Sequence, residues 1–481
     1  YSPGQTLESM MLPGRCPACG HGVAAPFWDA GAQPLATLAF PQSADEAQNL
    51  PRYRLRFVRC VDCGHVYNTE FDYSQVPYSK HPNRMFNQGP LWRKHLEYVR
   101  ELLLGILPAR PTVVEIGCGD GHLLSALAGA RPEGRYIGFD PNAAIQTDDG
   151  RIEARVELFV PERHLAECRP HLLVARHVLE HLVDPLQFLQ AIALAVSWTR
   201  RPTRLFVEMP CIDQALETGR TTDFFYEHNS HFTTLSLRRM LERAGAKIEL
   251  LEKGYGGEVV FALALLPVQA RQVQLAEEAL RFAQQAEGRR QALARQLEAL
   301  VRSGVRVAIW GGTGKAAALI NQCGLDAQRF PLVVDSDIQK AGTYVPGTGQ
   351  LIRFRDYLKD HPVDVILIAP QWRAADIVLE IQQQGIPCRT VLIEYQGRWV
   401  DYFLDDHPYR PAGTSSSGVA AEETKQPVHP AIPAPNFWTS SPLPMPSEAL
   451  DLLSAPPSVS PPIGKGETDI PNSPDSTGVW E

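Results

Sequence analysis

Four cysteines near the start of the chain have the spacing of metal ligands. They lie in two Cys-x-x-Cys-Gly segments, Cys16 to Gly20 and Cys60 to Gly64. The glycine after each pair lets the backbone turn so that main-chain N–H groups can hydrogen-bond the thiolates. Two disulfides or four unrelated thiols would use the same residues. Because matched thiolate pairs suit a closed tetrahedral site, we predict that a structural Zn²⁺ is bound by Cys16, Cys19, Cys60 and Cys63.

A glycine-rich segment has the composition of a nucleotide-binding turn. Residues 113–121 read Val-Val-Glu-Ile-Gly-Cys-Gly-Asp-Gly and run into a predicted helix that begins at His122. Glycines allow a ligand to approach the backbone closely, because a Cβ atom would collide with it. Asp140 ends a second short apolar run, 19 residues after Gly121. A carboxylate at that place can accept both ribose hydroxyls, although Asp-Pro-Asn is also a common turn sequence.

The spacing Glu-x-Gly-x-Gly-x-Gly from Glu115 to Gly121 resembles the first motif of the class I methyltransferases that use S-adenosylmethionine (SAM). In that family the loop holds the methionine part of the cofactor. Residues 176–182 resemble the family's loop after its fourth strand, which lies against the cofactor, and Glu180 and His181 read as structural helix residues. The resemblance implies SAM contacts from Glu115, Gly117, Gly119, Gly121, Asp140 and His177.

Residues 223–232, Asp-Phe-Phe-Tyr-Glu-His-Asn-Ser-His-Phe, follow an apolar run that ends at Pro210, where such an enzyme places its acceptor. Methyl transfer to carbon needs a carbanion equivalent, which a base generates by removing a proton next to a ketone. Histidine titrates near neutral pH and suits this task. We therefore predict His228 as the base and Glu227 as the residue that orients its ring or contacts a sugar.

The order of motifs over residues 10–405 resembles the sugar C-methyltransferases that act on nucleotide-linked 4-keto-deoxysugars. In that family the corresponding run is Tyr-His-Glu-His-Leu-Ser-Tyr-Phe, which matches this chain at Glu227, His228, Ser230 and Phe232. Three positions differ: Phe225 replaces a tyrosine whose hydroxyl can stabilise the enolate, Tyr226 replaces a histidine and His231 replaces a second tyrosine. Phenylalanine cannot donate a hydrogen bond. Tyr226 and His231 are the candidates to compensate, although neighbours on a strand face opposite ways.

A second strand–turn–helix segment begins near residue 305. Its turn, Trp310 to Lys315, contains three glycines, but Ala316 stands where a P-loop has a magnesium-binding hydroxyl, so ATP hydrolysis is not predicted. Glycines at a helix amino terminus can still bind phosphate. A turn-rich loop at 340–348 follows, either as a ligand contact or as a plain connection. We expect the nucleotide-linked substrate to contact Gly312, Gly314, Lys315, Lys340 and Tyr344.

Alternating strands and helices must position these residues. The apolar runs at 113–116, 136–140, 172–175 and 205–210 predict a doubly wound α/β methyltransferase sheet, and those at 305–310, 332–335, 365–369 and 390–393 predict a second Rossmann-like sheet. Residues 268–302 are rich in Gln, Ala, Glu, Arg and Leu, which predicts a linker helix or, alternatively, a coiled-coil dimer. The expected domains are a zinc-ribbon-like domain at 10–85, the methyltransferase domain at 86–267, the linker at 268–302, the Rossmann-like substrate domain at 303–407 and a tail at 408–481.

Charge and composition limit the partners. The formal net charge of −8 argues against nucleic acid as the main partner. No apolar run is long enough for a membrane span, and the start lacks a basic-then-apolar signal, so we expect a cytoplasmic protein. The tail holds 14 of the 40 prolines from Pro411 onward and is expected to be disordered, with a possible docking segment for a protein partner at 447–453.

These features favour a SAM-dependent enzyme that C-methylates a nucleotide-linked 4-keto-deoxysugar through an enolate generated by His228. One alternative is O- or N-methylation of a related sugar or small molecule, with His228 deprotonating a hydroxyl or an amine. The other is a non-catalytic nucleotide-binding scaffold with a docking tail, which the substitutions at Phe225 and His231 would allow.

Overall fold

The protein is described by a computed structural model that covers residues 11–78, 89–143, 145 and 150–411. The predicted tail, with its docking segment at 447–453, lies outside the described residues apart from its first four positions. Residue 10 and residues 79–85 of the predicted zinc domain also lie outside them.

The described chain forms three sheets joined by short connections and one long helix. The amino-terminal elements are β1 Leu12–Pro13, β2 Val23–Gln33, α1 Ala44–Gln48, β3 Tyr53–Cys60 and β4 Val66–Asn68. The middle elements are α2 Pro90–Ile106, β5 Thr112–Ile116, α3 His122–Ala130, β6 Arg135–Phe139, β7 Ile152–Arg155, α4 Pro161–Cys168, β8 Leu172–Arg176, α5 Pro185–Trp198, β9 Thr203–Pro210, α6 Asp213–Thr218, β10 Ser230–His231, α7 Thr234–Arg243, β11 Lys247–Gly254 and β12 Val259–Leu266. The remaining elements are α8 Ala270–Arg302, β13 Val307–Trp310, α9 Lys315–Gln322, β14 Leu332–Asp335, β15 Ile352–Phe354, α10 Tyr357–Asp360, β16 Val365–Ile368, α11 Ala374–Gln383, β17 Thr390–Tyr395 and β18 Arg398–Asp401.

The middle sheet has the strand order β11-β12-β9-β8-β5-β6-β7, and its five strands from β9 to β7 are parallel. Neighbouring residues of β5 enter opposite cores: Val113 packs with α2 and α3, whereas Val114 packs with α4, α5 and α7. Both faces of the sheet are therefore covered by helices, as near-continuous apolar strands require. This arrangement confirms the predicted class I methyltransferase fold.

The amino-terminal sheet takes one strand from the middle region. Its order is β1-β2-β3-β4-β10, and β10 pairs antiparallel with β4 through Ser230 opposite Tyr67 and His231 opposite Val66. The segment with the predicted catalytic residues is therefore tied to the amino-terminal module.

The last sheet has the order β15-β14-β13-β16-β17-β18, with β18 antiparallel to β17 and the other pairs parallel. It confirms the predicted second Rossmann-like sheet. The helix predicted over residues 268–302 is observed as α8, and Leu293 and Leu297 near its carboxyl end pack into the core of this sheet. None of the helices in the described ranges is both long and apolar enough to cross a membrane.

Candidate functional site

The four predicted metal ligands lie together. The Sγ atoms of Cys16 and Cys63 are 3.7 Å apart, those of Cys19 and Cys60 are 3.6 Å apart, and all four lie within 4.8 Å of one another. Zn–S bonds of about 2.3 Å give a tetrahedron with edges of about 3.8 Å, so the separation fits a tetrahedral ion. All four are free, buried thiols rather than disulfides. Gly20 and Gly64, at φ values of 77° and 72°, make the predicted turns.

The glycine-rich turn at the carboxyl end of β5 has the predicted form. Gly117, Gly119 and Gly121 have φ values of 68°, 53° and 75°, in the left-handed region that favours glycine. Asp140 Oδ2 accepts a hydrogen bond of 3.0 Å from the Gly119 amide, which brings the end of β6 against the turn. A Cβ on Gly119 would meet nothing within 4 Å, so this side of the turn is open to a ligand.

Glu115 lies beneath this turn and is 4% exposed. Its Oε2 has no hydrogen-bond partner within the described part of the chain. Burial raises the pKa of Glu115 to about 8. Glu115 is therefore mostly protonated at pH 7, and a cation that enters the pocket would favour its ionised form.

His177 lies at the end of β8 with a φ of 52°, a strained value for a non-glycine residue. Its ring nitrogens are 3.4 Å from Glu180 Oε1 and 3.3 Å from Glu208 Oε1. Burial opposes protonation of His177, but these two carboxylates outweigh it and raise its pKa to about 9. Arg176 donates to Glu208 at 3.0 and 2.7 Å. The two cations therefore balance the two buried carboxylates.

His228 occupies the predicted place beside this network. It is half-buried, and its ring centroid is 4.8 Å from that of His181 and 4.3 Å from that of Phe225. Burial is the main cause that holds the pKa of His228 well below its usual value, and the positive field of the neighbouring histidines adds to it. The imidazole is therefore neutral at pH 7 and available as a proton acceptor.

Sequence reasoning missed His181 and Tyr78. His181 Nδ1 is 2.8 Å from the Tyr78 hydroxyl, which donates to the backbone carbonyl of Glu227. Glu180, His181 and His228 each offer one possible ligand atom within 4.8 Å of the others, but Glu180 already faces protonated His177. The pair of His181 with Glu180 after a strand was a usable signal for this site, whereas nothing in the sequence distinguished Tyr78.

Glu227 is directed toward the amino-terminal module. Its Oε1 accepts hydrogen bonds from the Thr37 amide at 2.6 Å, the Thr37 hydroxyl at 3.2 Å and the Leu38 amide at 3.0 Å. This carboxylate ties the His228 segment to the loop after β2. Through these hydrogen bonds, Glu227 anchors the segment that carries His228. The role of Glu227 in orienting the His228 ring stays a prediction.

The two predicted substitutes for the family tyrosine lie in different places. Tyr226 is 2% exposed, its hydroxyl accepts from the Asp72 amide at 2.9 Å, and its ring packs on Tyr53. His231 is 3% exposed and lines the same cavity as His228 and Phe225. The structure therefore brings His231 to the acceptor side and leaves Tyr226 in the amino-terminal core.

This acceptor cavity has a volume of about 370 Å³ and lies beyond the carboxyl end of β9. It is lined by Pro210, Ile212, Arg220, Thr222, Asp223, Phe225, His228, Ser230, His231 and Glu258. The Ser230 hydroxyl and His231 Nε2 are buried without a hydrogen-bond partner in the described ranges. The cavity therefore offers polar groups to a bound molecule next to a neutral histidine.

A second cavity of about 240 Å³ lies at the carboxyl edge of the last sheet. Gly314, Lys315 and Lys340 line it as predicted, together with Asp335 and Arg373. Sequence reasoning missed Asp335, although it ends β14, the second strand of the last domain, much as Asp140 follows β6 in the methyltransferase sheet. Lys340 Nζ is 3.3 Å from Asp335 Oδ2.

The other two residues predicted for this site do not line the cavity. A Cβ on Gly312 would lie 2.5 Å from Ile352, so Gly312 serves close packing at the end of the strand. Tyr344 is 63% exposed. Trp372, which sequence reasoning also missed, lines the cavity and carries Lys315 Nζ 4.1 Å from its ring centroid.

Two protein families match the chain in succession. A methyltransferase domain covers residues 91–251, and a C-methyltransferase C-terminal domain covers residues 268–393. The C-methyltransferase NovU of Streptomyces niveus is 26% identical over 298 residues, which are 56% of this chain and 69% of that protein. These matches confirm the resemblance seen in the motifs.

Two methyltransferases are among the similar solved structures. The magnesium protoporphyrin IX methyltransferase ChlM of Synechocystis, with bound SAH, is 17% identical, with 38% of this chain and 90% of that chain covered and a TM-score of 0.28. A SAM-dependent methyltransferase of Aquifex aeolicus is 15% identical, with 41% and 99% covered and a TM-score of 0.28. From the family matches, the chain carries a class I SAM-dependent methyltransferase domain followed by a C-methyltransferase C-terminal domain.

Proposed function

We propose that this protein methylates a carbon atom next to the ketone of a nucleotide-linked 4-keto-deoxysugar, with His228 as the base. The observation that carries the proposal is a neutral histidine on the wall of a 370 Å³ cavity. This cavity lies at the same sheet edge as the glycine-rich turn, because β9, β8 and β5 are neighbouring parallel strands. Ligands bind at the carboxyl ends of strands in such sheets.

The glycine-rich turn and its neighbours suit SAM. Gly119 leaves room for the methionine part, whereas Gly117 and Gly121 let Val178 and Ile145 pack closely against the turn. Asp140 can accept from the ribose, and the unpartnered carboxyl oxygen of Glu115 can pair with the ammonium group. Bound SAM supplies a methyl group made electrophilic by its sulfonium. His177 lies beside Glu208 and Glu180 at this edge, and its positive charge offsets the negative charge of these carboxylates.

The residues of the chain perform the proton transfer. His228 accepts the proton from the carbon next to the ketone, and the electron pair of that C–H bond forms the enolate that attacks the methyl carbon. Phe225 forms an apolar wall against the His228 ring. His231 lines the same cavity, and in this proposal its Nε2 accepts a hydrogen bond from an N–H or O–H group of the acceptor. Tyr226 takes no part, because its hydroxyl is engaged by the amino-terminal module.

The second cavity suits the diphosphate of the nucleotide. Lys315, Lys340 and Arg373 place three cations around one carboxylate, that of Asp335. Lysine and arginine are the usual partners of phosphate groups, and α9 begins at this turn with its amide groups directed outward. Tyr344 and Gly312 do not line this cavity and do not contact the nucleotide in this proposal.

The Cys16, Cys19, Cys60 and Cys63 cluster is proposed to bind one Zn²⁺ with a structural role. The fit of the sulfur separations to a tetrahedron supports the assignment, and four protein ligands leave no open position for catalysis. The ion would hold the end of β3 to the segment before β2. That sheet in turn carries β10 and the residues next to His228.

The test is mass spectrometry of the purified protein with methyl-labelled SAM and a panel of nucleotide-linked 4-keto-sugars. NMR of any product then locates the new methyl group. A label on the carbon beside the ketone is expected. A label on oxygen or nitrogen would replace the proposal with O- or N-methylation, and a protein that does not bind SAM would be a scaffold.

A further inference from the structure

The acceptor cavity has a charged part of its wall that the proposed chemistry does not use. Arg220 donates from Nε and Nη2 to Asp223 at 2.7 and 2.9 Å. It also donates from Nη1 and Nη2 to Glu258 at 3.0 and 2.7 Å. All three side chains line the cavity with His228. One guanidinium thus faces two carboxylates, and this set has a net charge of −1.

The same wall is rich in hydrogen-bond acceptors and poor in donors. A guanidinium has five N–H groups, and Arg220 has already directed four hydrogen bonds to the carboxylates. Two carboxylates offer about eight acceptor positions, so about half of the acceptor capacity of Asp223 and Glu258 remains for a ligand. A bound group that donates hydrogen bonds would complete this wall.

The remaining titratable groups of the cavity do not neutralise the negative charge. Burial lowers the pKa of His231 to about 3 and also lowers that of His228, so both rings are neutral at pH 7. The Ser230 hydroxyl and His231 Nε2 are buried and have no partner in the described part of the chain. These unpartnered atoms are a second indication that a polar molecule occupies the cavity.

We propose that the acceptor carries a protonated amine that binds against Asp223 and Glu258, so that the substrate is an amino-substituted keto-sugar. This inference rests on the proposed function and names the substrate class of the same site. A charged pair formed with two carboxylates is stronger than the corresponding contact of a neutral hydroxyl. An anionic substituent would be repelled from the same wall.

An ammonium group at this place also fits the chemistry. On the carbon beside the ketone it withdraws electrons and makes the neighbouring C–H bond more acidic. His228 takes that proton, the C–H electron pair forms the enolate, and the new C–C bond forms as the C–S bond breaks and its electron pair stays on sulfur. The amine keeps its protons throughout, so no further reactant is needed.

The experiment compares two nucleotide-linked 4-keto-deoxysugars that differ only by an amino or a hydroxyl group beside the ketone. Their Kd values are measured by calorimetry in the presence of S-adenosylhomocysteine, and methylation is measured separately with labelled SAM. We expect the amino compound to bind about tenfold or more tightly, as is typical of a charge-assisted contact that is partly exposed. Glu258→Gln and Asp223→Asn should each reduce this preference toward parity.

Glu249→Gln is the matched control, because Glu249 pairs with Arg204 at 2.9 Å and does not line the cavity. It should retain the preference of the native protein. Equal Kd values for the two compounds would overturn the inference, and methylation of either would leave the proposed function standing. Tighter binding of the amino compound without methylation of either would support the amine site and refute the proposed reaction. If neither compound binds, both are refuted.

Discussion

The substitution His228→Asn tests the assignment of the base most directly. Asparagine keeps a polar group of similar reach but cannot accept a proton at neutral pH. General base catalysis contributes about 10²- to 10⁴-fold, which corresponds to about 2.7–5.5 kcal/mol of transition-state stabilisation. We expect kcat to fall within that range. SAM affinity should stay near its native value, because His228 lies outside the glycine-rich turn.

The pH dependence of the native enzyme adds a second, independent readout. A histidine with an ordinary pKa of about 6.5 is about one-quarter neutral at pH 6 and almost wholly neutral at pH 8, which would give about a fourfold rise in kcat/KM. The pKa of His228 is held well below that value, so the base is already neutral at pH 6. We therefore expect no rise attributable to this base between pH 6 and pH 8.

The assay is steady-state transfer of labelled methyl from SAM, with SAM affinity measured by calorimetry. The control is His361→Asn, because the His361 side chain is exposed next to α10, away from the glycine-rich turn. A kcat for His228→Asn within about threefold of the native value would refute the assignment of the base. A fourfold rise in kcat/KM with an inflection near pH 6.5 would show that the base is not shielded as the structure indicates.

Four further predictions concern other parts of the chain. Elemental analysis should find about one zinc per chain, lost in Cys63→Ser and retained in Cys388→Ser; equal zinc in both variants would contradict the cluster. Asp140→Asn should weaken SAM binding by calorimetry about tenfold, as loss of a charged acceptor does, whereas unchanged affinity would remove Asp140 from the pocket. Lys315→Met should raise KM for the nucleotide-linked acceptor and leave SAM affinity unchanged; an unchanged KM would place the nucleotide elsewhere. The folded pKa of His231 is depressed to about 3, so its contribution to stability is present above about pH 6.5 and is lost as pH falls, by about 1.4 kcal/mol per pH unit. His231→Phe should therefore reduce the loss of unfolding free energy between pH 6 and pH 4, measured by urea unfolding. An identical loss in the variant and the native protein would show that this ring is not buried in its neutral form.

The neutral state of His228 depends on residues that are distant in sequence. Arg176 ends β8 and His177 and Glu180 follow it, whereas Glu208 belongs to β9. These two cations and two carboxylates form a balanced buried network. Low-dielectric surroundings strengthen each of these interactions. Burial is the main cause of the lowered pKa of His228, and the neighbouring histidines, His177 among them, add to it. No spacing in the sequence carries this information, because it depends on the pairing of two strands.

Much of the fold was predictable from local patterns. The strand that ends at Ile116 and the one that ends at Phe139 were recognisable because parallel strands buried on both faces are continuous apolar runs. The glycines at Gly117, Gly119 and Gly121 were recognisable because only this residue adopts the required left-handed conformation at low cost. The long helix α8 was evident from composition alone.

The active-site segment shows where local reasoning ends. Tyr226 and His231 were both candidates to replace the hydroxyl that Phe225 lacks, and their packing in the folded chain separates them. Tyr226 packs in the amino-terminal core, whereas His231 lines the acceptor cavity. These positions depend on contacts with residues that are distant in sequence, such as Tyr53 and Asp72 for Tyr226, so no local pattern could distinguish the two side chains.

The sequence by itself predicted the four-cysteine cluster, the glycine-rich turn and the order of the modules, because each depends on residue types at short, fixed separations. Only the tertiary structure decided the acceptor site. It brought His181 and Tyr78 to His228, turned Glu227 toward Thr37 and placed an acidic wall across the cavity. These contacts join residues that are far apart along the chain, and their geometry is set by sheet pairing and packing rather than by local preference.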